Sequence, residues 1–183
     1  LDLLDNIFDF YIDFKTFDFE NVGFMTKRGN LTHRKLYALI HLWFIKKSLG
    51  GSLKNKKIIE IGGGNGLTAY FAYLSGVSEY IIVDIKTTQI IQFWNLSFYI
   101  KETNVSFLSE NINTIVKLYD TKDYNYLYNK NYDLVFNADG LVEYGIKIAY
   151  NYFENFDKIS KYFLSINHED NILYAKNYND VSY

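Results

Sequence analysis

K-K-I-I-E-I-G-G-G-N-G-L-T-A-Y-F-A-Y-L-S-G-V-S-E-Y-I-I-V-D, from Lys56 to Asp84, is the stretch whose reading decides the fold. Lys57–Ile61 is a short apolar run of the kind that buried parallel strands show. Gly62, Gly63, Gly64 and Gly66 crowd the turn that follows, and glycine lets the backbone approach a ligand closely. Leu67–Leu74 is compatible with a helix that Gly76 is placed to end. Glu79–Asp84 is a second apolar run that closes on a carboxylate. Strand, glycine turn, helix, turn and strand make a β-α-β half of a nucleotide-binding fold. Asp84 stands where a ribose diol would sit, with Ile85 beside it.

The glycine register bears on the ligand. Glu60 with Gly62, Gly64 and Gly66 spells E-x-G-x-G-x-G, with Gly63 and Asn65 between. The dinucleotide fingerprint G-x-G-x-x-G fails from Gly62, because Leu67 holds the third glycine position. From Gly64 it passes only with Ala69 third, and Gly62 and Gly63 then have no role. Glu60 would also oppose a pyrophosphate, whereas a cationic ligand would welcome it. In this register the segment resembles the S-adenosylmethionine-dependent methyltransferases with a Rossmann-like core. A nicotinamide-dependent oxidoreductase is the alternative.

The 183 residues suit one domain with a full core. Residues 1–50 are expected to form an N-terminal arm and a helix packed on a core that occupies 51–183. The formal net charge of −2 argues against a nucleic-acid binder, whose domains carry a basic face. No cysteine is present, which removes disulfide and zinc-thiolate chemistry and suits a reducing, cytoplasmic setting. No apolar run reaches the length that spans a bilayer, so no membrane partner is expected. Proline is absent while Tyr (18) and Phe (15) abound, a pattern that A/T-rich codons explain without any function. Nothing in these residues speaks to oligomeric state.

Working outward, residues 1–24 alternate aromatics and aspartates without a sustained period, as a strap with short helical turns would, and 25–30 reads as loop. Thr32 can cap a helix running to about Leu49, with Leu36, Leu39, Ile40, Trp43 and Phe44 as its buried stripe. His33 and His41 on that helix lack a metal-type partner at i+4 and read as exposed or hydrogen-bonded side chains. A helix is expected over 87–102 with Ile90, Ile91, Trp94 and Phe98 packed inward. A third strand at 105–108 leads to Glu110 and Asn111, placed to hold an adenine; alternatively Asn111 or Asn113 caps a helix reaching Tyr119. A polar connection over 120–131, a strand at 132–136, a helix over 140–160 and a fifth strand at 162–166 complete the alternation. The fold class is therefore α/β, a Rossmann-like, doubly wound, mostly parallel sheet with helices on both faces. Its ligand crevice lies outside the carboxyl ends of the strands. Glu60, Asp84, Glu110, 137–139 and 167–170 would gather there.

A narrower likeness rests on I-E-I-G-G-G-N-G, I-V-D, F-N-A-D-G-L-V-E-Y (136–144) and F-L-S-I-N-H-E (163–169). Together these resemble the sugar O-methyltransferase family, over about two thirds of the chain. The resemblance implies S-adenosylmethionine as cofactor, a sugar or other small polar acceptor or glycan as partner, and methyl transfer to a hydroxyl. It places Asn137 near the cofactor and Asp139, Glu143 and His168 at the reaction, with His168 first choice as base because its ordinary pKa suits the task. Gly140 stands where serine is common in the family, which could remove one substrate contact. Asp139, Glu169 and Asp170 would be the oxygen ligands if Mg²⁺ took part, though a metal-free site is favoured. Complete folds of the family carry two more antiparallel strands after the fifth. Past Asn167 there is room for one, around 171–176, so the sheet edge is expected to be truncated. A cofactor-binding fragment without turnover is the remaining reading.

Overall fold

A computed structural model describes residues 2–15, 22–108, 113–128, 130–144 and 146–167. Among them a six-stranded sheet runs in the order β5-β6-β4-β3-β7-β8, every neighbouring pair parallel. The strands are β3 (Lys57–Ile61), β4 (Glu79–Asp84), β5 (Val105–Phe107), β6 (Val116–Asp120), β7 (Leu134–Ala138) and β8 (Phe163–Ile166). The chain enters at β3 in the middle, winds outward through β4, then returns to the other side of β3 as β7. That reversal puts the crevice at the carboxyl ends of β3, β4 and β7.

Alternation along each strand divides the core in two. Ile58, Tyr80, Ile82, Leu118, Leu134 and Phe136 face one side. There they meet α2 (His33–Ser48), α3 (Leu67–Leu74) and α4 (Lys86–Ile100). Ile59, Ile61, Ile81, Val83 and Val135 face the other, against Leu141 and Tyr152 from α5 (Gly140–Glu143) and α6 (Ile146–Phe153). Helices thus cover both faces of a mostly parallel sheet, as the alternating pattern implied.

The N-terminal residues pack against α2 and α3. α1 (Asp2–Phe8) brings Phe8 into the core beside Ile12 and Phe14, and Phe10 stacks on Phe71 of α3. Lys35, itself buried, donates from Nζ to Phe14 O (2.6 Å) and Asn30 O (3.0 Å). The expected loop at 25–30 is instead a hairpin of β1 (Phe24–Thr26) and β2 (Gly29–Leu31).

Three further expectations need correction. The segment to Tyr119 is strand β6, not helix; a short apolar run carries no period that separates the two. The helix over 140–160 is broken into α5, α6 and a 3-10 turn at Phe156–Lys158. Both stripes are also rotated. Of the α2 set only Leu39 is buried, with Lys35, Ala38, Leu42 and Ile45, while Leu36, Ile40, Trp43 and Phe44 face outward. On α4 the inward residues are Gln89, Gln92, Asn95, Leu96 and Ile100; Ile90, Ile91, Trp94 and Phe98 are exposed. Apolar residues all round α2 left periodicity no basis for choosing a face. On α4, hydrogen bonding at the glycine turn overrides it. The expected strand at 171–176 lies outside the described residues.

Lys35→Met should leave two carbonyls without their donor and loosen the N-terminal residues, at a cost of about 1–3 kcal/mol. A lower urea midpoint and faster proteolysis ahead of α2 are expected; an unchanged midpoint would show that the ammonium contributes nothing.

Candidate functional site

The glycine turn is bound from beneath and from the side. Gly62 donates to Val83 O (2.9 Å), Gly66 to Gly63 O (2.9 Å), and the Gly63 amide to the Asp84 carboxylate. Asn65 Oδ1 accepts from Leu67 N at 3.3 Å. A Cβ on Gly63 would stand 2.5 Å from Ile82 Cγ2 and 3.2 Å from Glu60 Oε2, so this position tolerates no side chain. The inward amides of α4 hold the turn's carbonyls: Gln92 Nε2 donates to Gly64 O (3.0 Å) and Asp84 Oδ2 (2.8 Å), and Asn95 Nδ2 to Asn65 O (3.1 Å). Gln89 Nε2 adds a bond to Asp84 O at 2.8 Å. The spacing of these three amides at i, i+3 and i+6 was the visible signal, and the apolar stripe drew attention from it.

Glu60, one residue before the end of β3 and in register with Ile82, and Asp84, the last residue of β4, lie on the same face of the sheet, and both are buried. Glu60 Oε2 accepts from Tyr80 Oη at 3.0 Å, and the Thr68 side chain bonds the same carboxyl. Burial, aided by nearby Asp84, nevertheless pushes the Glu60 carboxyl from its ordinary 4.5 up to about 8. At neutral pH it is chiefly a protonated acid. Burial also raises Asp84, against the hydrogen bonds from Ile85, Gln92, Gly63 and Thr88. Ile85 contributes its amide to Asp84 Oδ1 at 2.8 Å.

A cleft of about 200 Å³ opens over Glu60 and Gly62, Gly63, Gly64 and Asn65. Arg34, Tyr37 and His41 of α2 form its opposite wall, and Ala138 the end of β7. His41 is half-buried with its ring 5.4 Å from that of Phe136; burial lowers its pKa, an effect the negative charge of Asp139 partly offsets. Neither Arg34 nor His41 carried any local signal, because only the packing of α2 brings them here. A wider cleft of about 530 Å³ lies at the ends of β5 and β6, lined by Lys86, Gln89, Ile90, Phe107, Asp120 and Tyr126 among others. Asp120 pairs in register with Asp84 at the end of β6, where the sequence pattern suggested the start of a polar connection.

At the end of β7, Asn137 is fully buried and donates to Ile61 O (2.8 Å), so its amide braces the strand ends. Asp139 has φ 58°, a left-handed conformation uncommon outside glycine, at the mouth of the first cleft. A Cβ on Gly140 would lie 3.0 Å from Ile61 O and 3.1 Å from Gly62 Cα. Glycine there permits two backbones to touch, a sufficient reason for it in place of serine. Glu143 is exposed on α5. Glu110, Asn111, His168, Glu169 and Asp170 lie outside the described residues, leaving Asp139 as the one candidate metal ligand within them. Among the described residues no group of three or more His, Cys, Asp or Glu could hold a metal ion. Nor is any helix among them long and apolar enough to cross a membrane.

No protein-family profile matches the chain, and no curated protein matches it. Solved structures do. A Pyrococcus horikoshii protein described provisionally as an RNA methyltransferase superposes with a TM-score of 0.51 at 19% identity, over 77% of this chain and 64% of its own. The YcgJ protein of Bacillus subtilis gives 0.52 at 18%, over 73% and 54%. A looser match, at 0.44 and 13% over 66% and 51%, is an S-adenosylmethionine-dependent methyltransferase of Mesorhizobium loti. The chain thus spans under two thirds of the length of these neighbours. At such identities the first two likenesses establish the fold alone, a Rossmann-like α/β fold.

The state of Glu60 has a measurable consequence. The folded value of about 8 lies above the ordinary 4.5, so its stabilising share is complete below about pH 4.5 and is lost as pH rises through 8. Over that window the slope should approach 1.4 kcal/mol per pH unit at most, roughly the free energy of one proton. Urea denaturation at intervals from pH 5 to pH 8 should show the decline in the native protein and a flatter profile in Glu60→Gln. Equal slopes in the two would remove Glu60 as its source.

Proposed function

We propose that the chain binds S-adenosylmethionine over the carboxyl ends of β3 and β4 and transfers its methyl group to a hydroxyl of a small polar acceptor. The sequence resemblance favours a sugar. The observation that carries this reading is the buried Glu60 carboxyl beneath the glycine turn. A pyrophosphate would meet an acid there, and the amides of Gly62, Gly63, Gly66 and Leu67 that could have held it are already engaged. An ammonium and a sulfonium find instead a group that can become their counter-charge.

The residues fit the ligand part by part. Glu60 faces the amino end of the methionine moiety and Arg34 its carboxylate, both from the smaller cleft. Asp84 takes the ribose hydroxyls, and the wider cleft beyond β4 takes the adenine between Ile90 and Phe107, with Asp120 at its edge. Bound there, S-adenosylmethionine would supply a methyl group on a positively charged sulfur, and that sulfur would leave as a neutral thioether when an acceptor oxygen attacks the methyl carbon in line. The chain's main contribution is alignment, which can account for several kcal/mol of barrier. As the new carbon–oxygen bond forms and the carbon–sulfur bond breaks, the hydroxyl proton needs a base. His41 supplies a neutral imidazole on the wall of the cleft, because burial lowers its pKa. Asp139 then holds the imidazolium by charge. His168 is the second candidate for the same proton. Mg²⁺ has no part in this scheme.

RNA, the substrate in the Pyrococcus neighbour's description, suits this chain poorly. A chain with 19 basic and 21 acidic residues lacks the charge excess that phosphate backbones select.

Calorimetry separates the cofactors. S-adenosylmethionine and S-adenosylhomocysteine should bind, NADH should not, and Asp84→Ala should abolish the signal. Binding at pH 7 should release close to one proton, read from buffers of different ionisation enthalpy, and Glu60→Gln should cancel that release. NADH binding without the other two would overturn the cofactor. In a methyl-release assay over nucleotide sugars and polysaccharide, His41→Ala should lose about 10²-fold or more in turnover with cofactor affinity kept. Cofactor binding with no transfer to any of them would favour the fragment reading.

A further inference from the structure

α4 is built inside out. Its amides Gln89, Gln92 and Asn95 face the protein, while Ile90 (65% exposed), Ile91 (56%), Trp94 (72%) and Phe98 (77%) face water. The inward amides are fixed by their bonds to the glycine turn and Asp84, so the helix cannot turn to bury the other side. The described N-terminal residues reach α3 through Phe10 on Phe71 and α2 through the Lys46 ammonium, which donates to Ile7 O, and the four α4 side chains stay exposed beside them. Four such side chains leave on the order of 600 Å² of apolar surface in water, at the upper end for a patch on a monomer.

We propose that this face of α4 is the interface of a symmetric homodimer. Two copies joined there would bury about 1,200 Å², the lower bound for a stable protein interface, before any neighbouring residue is added. Charge permits self-pairing. A twofold axis sets every charge against its own copy, and Lys86 is the only ionisable acid or base along Lys86–Ile100 apart from the phenol of Tyr99. Spacing also permits it. Ile90, Trp94 and Phe98 form one i, i+4, i+8 ridge, the row that interdigitates when two helices cross. With the axis at Trp94, each Trp94 meets its counterpart and each Ile90 meets the partner copy's Phe98 position. A lipid surface fits less well. Interfacial helices hold anionic lipid through Lys and Arg on an exposed polar face, and here the polar face is buried and uncharged. Ile90 also lines the wider cleft, so pairing would extend the wall of that cleft.

Sedimentation of the full chain tests the interface without any cofactor, so its result is independent of the proposed activity. A dimer is expected at about 10 μM and above. The double variant Trp94→Glu with Phe98→Glu should weaken dimerisation at least 100-fold, with an unchanged circular dichroism spectrum. Because no cysteine is present, Trp94→Cys offers a second reading: mild oxidation should give one crosslinked dimer, whereas Lys54→Cys, on a remote loop, should give none. A monomeric native chain at 100 μM overturns the proposal. So does a dimer that survives the double variant, or binding to anionic vesicles in place of self-association.

Discussion

A carboxyl group buried at the centre of a parallel sheet is costly unless something compensates it, and Glu60 is the constraint to which its neighbours answer. Tyr80 and Thr68 give it hydrogen bonds, Gly63 gives it room, and burial, aided by the closeness of Asp84, keeps it from ionising. A hydrophobic residue would pack this strand end at lower cost. The proposed cationic ligand would give an acid there a purpose, by drawing out its charge. The turn above it conforms: with most of its amides spent on protein carbonyls and on Asp84, it offers shape and negative charge, not an anion cradle.

The same economy shapes α4. Most surface helices bury an apolar stripe, but this one inserts three amides that tie down Gly64, Asn65 and Asp84. Precision at the turn takes up the inward face, and the apolar residues are displaced outward. Site rigidity and a sticky surface are therefore two outcomes of one choice. The close contact of Gly62 with Gly140 works similarly at the end of β7, bringing Asp139 to the mouth of the cleft that His41 enters from α2.

Legibility in the sequence followed the range of the interactions. Residues 56–84 could be read to the residue, because a glycine turn between two apolar strands is specified within its own segment. The cap of α2 by Thr32 is equally local and was equally legible. Strand β6 was not, since Thr114 to Asp120 has too few residues to show a period, and its pairing between β4 and β5 is what makes it a strand. The faces of α2 and α4 were not, because burial there depends on which polar atoms need partners across the fold.

By itself, then, the sequence determined the β-α-β unit, the α/β class, and the acid and glycines that form one wall of the site, all of them encoded by neighbours in the chain. Only the tertiary structure decided that Arg34 and His41 line the cleft over Glu60, that Asp120 lines the wider cleft beyond β4, and that Asn137 braces a strand end. It alone turned the amides of α4 inward and its aromatics out. The physical reason is that a buried polar atom must find its partner wherever the fold brings one, and no local pattern records that distance.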